Sequence, residues 1–245
     1  MTNDVQMTKP IARDPMFRKR VFDVDIIVQC VRWYLSYRLT YRDLVEMMSE
    51  RGVSVAHSTI LRWVLRYVPE FEKRWNRFRR PVGGSWRVDE TYVCIRGQWH
   101  YLYRAVDKHG QTIDFLLRPD RGIAAAQAFF RKALDSNGGR FPRTVTLDAH
   151  VPSRSALWKL RREQVQWRYV KVRRCKYLNN IVEQDHRGIK SRCQPLKGFK
   201  SFVTATVTLA GFELAHRIRK RQFNFRIHGR RFGVNRKLDW ALAIA

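Results

Sequence analysis

Apolar positions recur on two different periods along the 245 residues, and the change of period marks a boundary. From residue 21 to 68 the spacing is helical. Ile27, Cys30, Val31 and Tyr34 recur every three or four residues, as do Tyr41, Leu44, Val45 and Met48, and then Ile60, Trp63, Val64 and Tyr67. Thr40 offers an N-cap to the second helix and Gly52 a C-terminal stop, and Pro69 is expected to end the third. From residue 85 the period is two. SWRVDETYVCI (85–95), QWHYLYRAVD (98–107) and TIDFLL (112–117) predict three strands joined by short turns and therefore antiparallel. A helix over 122–136, a strand over 143–149, a helix over 153–163, a strand over 165–170 (VQWRYV), a helix over 180–192 and a longer helix over 199–221 complete the pattern.

Hairpins followed by alternating helices and strands predict an α/β domain. Its sheet is mixed and five-stranded, with helices flanking it and the later strands parallel to the first. The three short helices ahead of it predict a small all-α helix-turn-helix domain. The chain thus divides into a mobile basic arm (1–20), the helix-turn-helix (21–68), a basic linker (69–84), the α/β domain (85–221) and a basic tail (222–245).

Charge narrows the functional classes. Lys and Arg number 49 against 21 Asp and Glu, a formal net charge of +28. A compact fold with that excess repels itself unless a polyanion offsets it, and nucleic acid is the usual one. No apolar run approaches the roughly 18 residues of a membrane span, so no membrane partner is expected. The polar first residues are unlike a signal peptide. The four cysteines form no C-x-x-C pair, which argues against a zinc knuckle and for free thiols in a reducing cytosol.

On the third helix the positions outside the apolar stripe are His57, Ser58, Thr59, Arg62 and Arg66. If that helix enters a major groove, these face bases and phosphates. The acids are more telling in so basic a chain. Asp89 lies inside the first strand, on the face shared by Arg87, Thr91 and Val93, with Glu90 opposite. Asp148 ends a short apolar strand, at the sheet edge where ligands bind in open α/β folds. Were these strands neighbours, the two aspartates would meet. On the helix over 180–192, with Glu183 at zero, Arg187 falls at about 40° and Lys190 at about 340°, whereas Asp185 falls at about 200°. One carboxylate flanked by two cations suits a site that holds both a metal and a phosphate. Three clustered carboxylates suit two Mg²⁺ ions, which activate water and stabilise the leaving oxygen in phosphodiester chemistry. Asp107 is explained by an Asx-type turn. Asp114 and Asp120 have no partner pattern, and Glu213 is at most a supporting group.

The stretches 52–70, 86–115 (WRVDETYVCIRGQWHYLYRAVDKHGQTIDF), 146–150 (TLDAH) and 179–190 (NNIVEQDHRGIK) resemble the DDE transposases of bacterial insertion sequences, in particular the small single-protein family that moves by cointegrate formation. The likeness covers about 22–221, and the 34 residues between Asp148 and Glu183 agree with it. It implies an RNase H-like, retroviral-integrase-like catalytic core with Asp89, Asp148 and Glu183 as catalytic residues and metal ligands. Two Mg²⁺ ions are implied per site, with Mn²⁺ able to substitute, and Arg187 and Lys190 as DNA contacts. It also implies double-stranded DNA partners (terminal inverted repeats and target), no small-molecule substrate, a homodimer or higher oligomer, and a bacterial cytoplasmic, nucleoid-associated location. Two departures stand out: Ala56 occupies a position where relatives carry an acid, so that Ser54 or Ser58 would have to cap the helix, and Ala149–Ser153 replaces a Lys-Ala and Tyr pattern. The alternatives are a helix-turn-helix DNA-binding regulator without catalysis and an RNase H-like nuclease that only cuts.

Overall fold

The computed structural model describes residues 15–17, 21–147, 151–175, 180–224, 226–227 and 230–231. Asp148 lies outside the described residues, as does most of the predicted N-terminal arm and of the basic tail. Three helices come first: α1 (Val24–Ser36), α2 (Tyr41–Ser49) and α3 (His57–Asn76). Thr40 caps α2 as the pattern predicts, in a reciprocal capping box with Asp43. Neither Ser54 nor Ser58 caps α3. Its N-cap is Ala56, with no side-chain bond.

Helix α3 also does not stop at Pro69. Proline in a helix interior costs about 3 kcal/mol. Beyond it, however, Phe71 and Trp75 continue the apolar stripe and are fully buried, each worth about 1.5–3 kcal/mol. Tertiary burial therefore outweighs the local penalty, and residues 69–76, read as linker from their composition, are helical.

Five strands follow: β1 (Ser85–Ile95), β2 (Gln98–Asp107), β3 (Thr112–Arg118), β4 (Thr144–Leu147) and β5 (Lys171–Arg174). Between and after them lie α4 (Ile123–Ser136), α5 (Val151–Glu163), α6 (Asn180–Cys193) and α7 (Phe202–Arg219). The sheet order is β3-β2-β1-β4-β5, with β1–β3 antiparallel and β4 and β5 parallel to β1. This is the RNase H-like arrangement. The fifth strand is displaced from its predicted place: residues 165–169 form a 3-10 helix and the strand starts at Lys171. Trp167 and Val170, both buried, are three residues apart, the 3-10 period rather than the strand period.

The sheet has two packed faces. Trp86, Val88, Tyr103 and Ala105 bury against α4 and α5. On the other face Val93, Ile95 and Leu102 join one core with α6, α7 and the N-terminal helices. Helix α7 bridges these parts, packing on both α1 and α3. The approach requires Gly211, where a Cβ would lie 2.5 Å from a Leu35 methyl and 3.1 Å from a Val68 methyl. Phe223, beyond α7, stacks edge-on against Trp75 at 4.8 Å.

Candidate active site

Strand β1 carries the first candidate ligand. Asp89 pairs across the ladder with Arg104 of β2 and faces α6. Its side chain is 16% exposed, and the carboxylate lies 3.2 Å from Nε2 of His186, out of line for a hydrogen bond. His186 is buried in α6, three residues beyond Glu183. Residues i and i+3 are surface neighbours on a helix, so Glu183 lies one turn from the histidine that touches Asp89. Glu183, Arg187 and Lys190 are all exposed, on the face predicted from the helical angles. Glu183 has no hydrogen bond or ion pair to a described residue.

Strand β4 brings in the third element. It lies beside β1 in parallel, with Leu147 paired to Val88. The predicted neighbourhood of the two strands is therefore present, one residue short of Asp89 on one strand and of Asp148 on the other. Among the described residues, no three His, Cys, Asp or Glu side chains cluster so as to hold a metal.

A buried ionic network fixes α6 over this site. The Arg104 guanidinium, fully buried, donates to both oxygens of Glu213 on α7 at 2.6 and 3.0 Å and to Asp185 on α6 at 2.7 Å. Asp185 also contacts His216 at 2.7 Å and Lys220 at 2.5 Å. Gly188 admits His216 here: a Cβ on it would meet the imidazole at 3.1 Å. Burial alone would raise the Asp185 pKa. The His216 hydrogen bond and the charges of Arg104 and Lys220 outweigh it and hold the carboxyl well below the usual range. At Arg104 burial works against the charge, but Glu213 and Asp185 prevail and its pKa is raised.

This network explains what Asp89 lacks. Its cross-strand neighbour is an arginine, yet that arginine is committed to Glu213 and Asp185. No Lys or Arg among the described residues pairs with Asp89 or Glu183. Two carboxylates that pair with no lysine or arginine among the described residues, one half-buried and one exposed, fit a hard divalent cation such as Mg²⁺. The competing acids are accounted for. Asp107 accepts backbone bonds from His109 and Gln111, as an Asx-type turn requires. Asp114 pairs with Lys132, Asp120 with Arg118 and Glu213 with Arg104.

The family model for the DDE domain matches residues 83–222, more than half of the chain. The transposase for insertion sequence-like element IS431mec of Staphylococcus aureus is 38% identical over 216 residues, covering 87% of this chain and 93% of that one. The chain belongs to the DDE transposases of bacterial insertion sequences. The transposase for IS257 in transposon Tn4003, also of S. aureus, matches this transposase with the same identity and coverage. Among solved structures, the HTLV-2 integrase catalytic core domain in complex with magnesium aligns over 55% of this transposase and 88% of that chain, at 14% identity and a TM-score of 0.43. The fold itself is shown by the strand order and pairing. The protein is thus an enzyme, a polynucleotidyl transferase.

Sequence reasoning missed the approach of His186 to Asp89 and the Arg104 network. It placed Asp185 on the far side of α6 from Glu183, and that direction is the buried one. A carboxylate buried opposite the exposed stripe of a helix signals a cation beneath it, but nothing in the sequence pointed to Arg104. In the N-terminal region, His57, Ser58, Arg62 and Arg66 are exposed at the start of α3 and Thr59 is half-buried. Arg62 bonds the Ser58 carbonyl and the Thr59 hydroxyl, both at 3.3 Å. Seven residues separate α2 from α3, more than the three or four of a compact helix-turn-helix turn. No helix among the described residues is long and apolar enough to cross a membrane.

Proposed function

We propose that Asp89, Asp148 and Glu183 act together as the metal-binding catalytic residues of this transposase, cutting DNA at the element's 3′ ends and joining those ends to a target. The observation that carries the reading is the contact of Asp89 with α6 through His186, on the strand that pairs with β4 just before Asp148. Mg²⁺, as two ions per site and replaceable by Mn²⁺, would supply an activated water and a stabilised leaving 3′ oxygen. Asp89 and Glu183 form no ion pair with a lysine or arginine among the described residues, and the Arg104 network ties α6, which carries Glu183, to β2 beside Asp89. Arg187 and Lys190, exposed on the Glu183 face, hold DNA phosphates beside the carboxylates. His57, Ser58, Thr59, Arg62 and Arg66 on α3 read the terminal inverted repeats. Pairing two ends calls for a dimer or a larger assembly.

The test is strand transfer by wild type and Glu183→Gln, given the element's end sequences and a plasmid target with Mg²⁺ or Mn²⁺. Joined product from wild type alone supports the reading. Nicking without joining replaces it with a nuclease. End-specific binding without chemistry from either protein leaves a DNA-binding regulator.

A further inference from the structure

Between Arg154 and Arg174 the chain carries eight basic residues and a single acid, Glu163. That acid is already committed, bonded to Arg131 at 2.6 Å and to Gln127 at 3.1 Å. The segment is α5, the 3-10 helix after it and β5, the edge strand of the sheet. Arg154, Lys159, Arg162, Arg168, Arg173 and Arg174 are all exposed. Two large aromatics stand among them: Trp158 is 54% exposed and Tyr169 is 82% exposed. Arg162 is already stacked on Trp158, its guanidinium carbon 3.7 Å from the ring centroid. That stacking holds a long side chain extended without using its hydrogen-bond donors.

Basic residues on an edge strand also block sheet-to-sheet aggregation. That role needs only the strand, whereas here the charge continues over α5, with aromatics left in water. An isologous interface between two copies would set these cations against each other. The charge therefore selects a polyanion.

The strand register ties the surface to the active site. Val88, Leu147 and Arg174 form one row across β1, β4 and β5, and Arg87, Thr146 and Arg173 form the next. With strands about 4.8 Å apart, Arg174 lies roughly 10 Å from Val88, the residue before Asp89. Val172 and Arg174 share a groove with Arg154 and Trp158 on the α5 face. Arg173, in the row of Arg87, lies on the sheet face that carries Asp89, and Arg174 lies on the α5 face, so the edge strand presents cations on both faces of the sheet.

We infer that the α5–β5 surface is a second DNA-binding surface, separate from α3, that holds the target duplex by its phosphates without reading sequence. This rests on the polynucleotidyl-transfer reading above and assigns the partner that the joining step attacks.

The experiment compares full-length wild type with a variant carrying Lys159→Gln, Arg162→Gln, Arg173→Gln and Arg174→Gln. Binding is read by fluorescence anisotropy against a 30-bp duplex of unrelated sequence and against the element's end duplex, over a salt series. Every phosphate that the variant no longer neutralises lowers the slope of log K against log salt by about 0.9. The variant should therefore bind the unrelated duplex at least tenfold more weakly, with a slope lower by about 2–4. It should keep its preference for end over unrelated sequence and its cleavage of the ends, while joining falls with target affinity. Unchanged affinity and slope on the unrelated duplex would overturn the inference. So would a shift in oligomeric state by sedimentation without a change in binding, which would make the surface an interface between copies. A Trp158→Ala variant gives an independent reading, because this side chain takes no part in any core. Its removal should weaken unrelated-duplex binding, and unaltered binding counts against the inference. If wild type shows no metal-dependent chemistry, the catalytic reading fails while these binding measurements still decide the surface.

Discussion

Replacing Arg104 with methionine tests the network that sets α6 above β1. The guanidinium is fully buried and makes three short bonds to two carboxylates, those of Glu213 and Asp185. Methionine roughly fills the volume but leaves Glu213, itself fully buried, without the only counter-charge it has among the described residues. Breaking a buried ion pair on one side costs about 3–5 kcal/mol. At roughly 2–4 °C per kcal/mol for a chain of this size, the melting temperature should fall by roughly 6–20 °C. The second substitution, Glu213→Leu in the Arg104→Met background, removes the orphaned charge. Asp185 keeps His216 and Lys220, so the double variant should regain roughly 2–3 kcal/mol, a coupling typical of residues in one network. Urea unfolding of the four proteins, followed by tryptophan fluorescence, gives the cycle. A destabilisation under about 1 kcal/mol for Arg104→Met, or additive effects of the two substitutions, would refute the reasoning.

Other expectations follow from single sites. Gly211→Ala should destabilise by about 1–3 kcal/mol through overpacking against Leu35 and Val68, with partial rescue by Leu35→Ala, measured by thermal unfolding. Thr40→Ala breaks the capping box and should cost about 1 kcal/mol by the same measurement. The folded-state pKa of Asp185 lies below its unfolded value of about 3.9. Its contribution to stability is therefore present above that value and is lost as pH falls below about 4. Urea midpoints from pH 7 to 3 should show that fall in wild type and a shallower one in Asp185→Asn. Asp89→Asn should abolish strand transfer while leaving unfolding stability within about 1 kcal/mol of wild type, since among the described residues its carboxylate has no ion pair to lose except the misaligned His186 approach.

Much of this protein was legible in its pattern. The run over 85–95, a turn at Gly97 and the run over 98–107 gave β1 and β2 with their bounds, because successive side chains of a strand point to opposite faces and leave a period of two in the sequence. The same alternation assigned Asp89 to the face that meets α6. Helical angles placed Glu183, Arg187 and Lys190 on one exposed stripe, and short hairpins with crossover helices implied the mixed sheet. Where pattern failed, a distant partner decided. Pro69 sits inside α3 because Phe71 and Trp75 reach a core shared with α7, which is more than 120 residues away in the chain. VQWRYV has strand-like composition, yet Trp167 and Val170 are buried at a spacing of three, and only packing against α4 and α5 revealed it. Asp185 looked like an idle acid until the tertiary fold brought it to Arg104, His216 and Lys220. Local periodicity is written residue by residue and survives in the sequence alone. The pairing of buried charges is a property of three elements meeting, and only the fold determines that Arg104 is committed to Glu213 and Asp185 rather than to Asp89 across the strand.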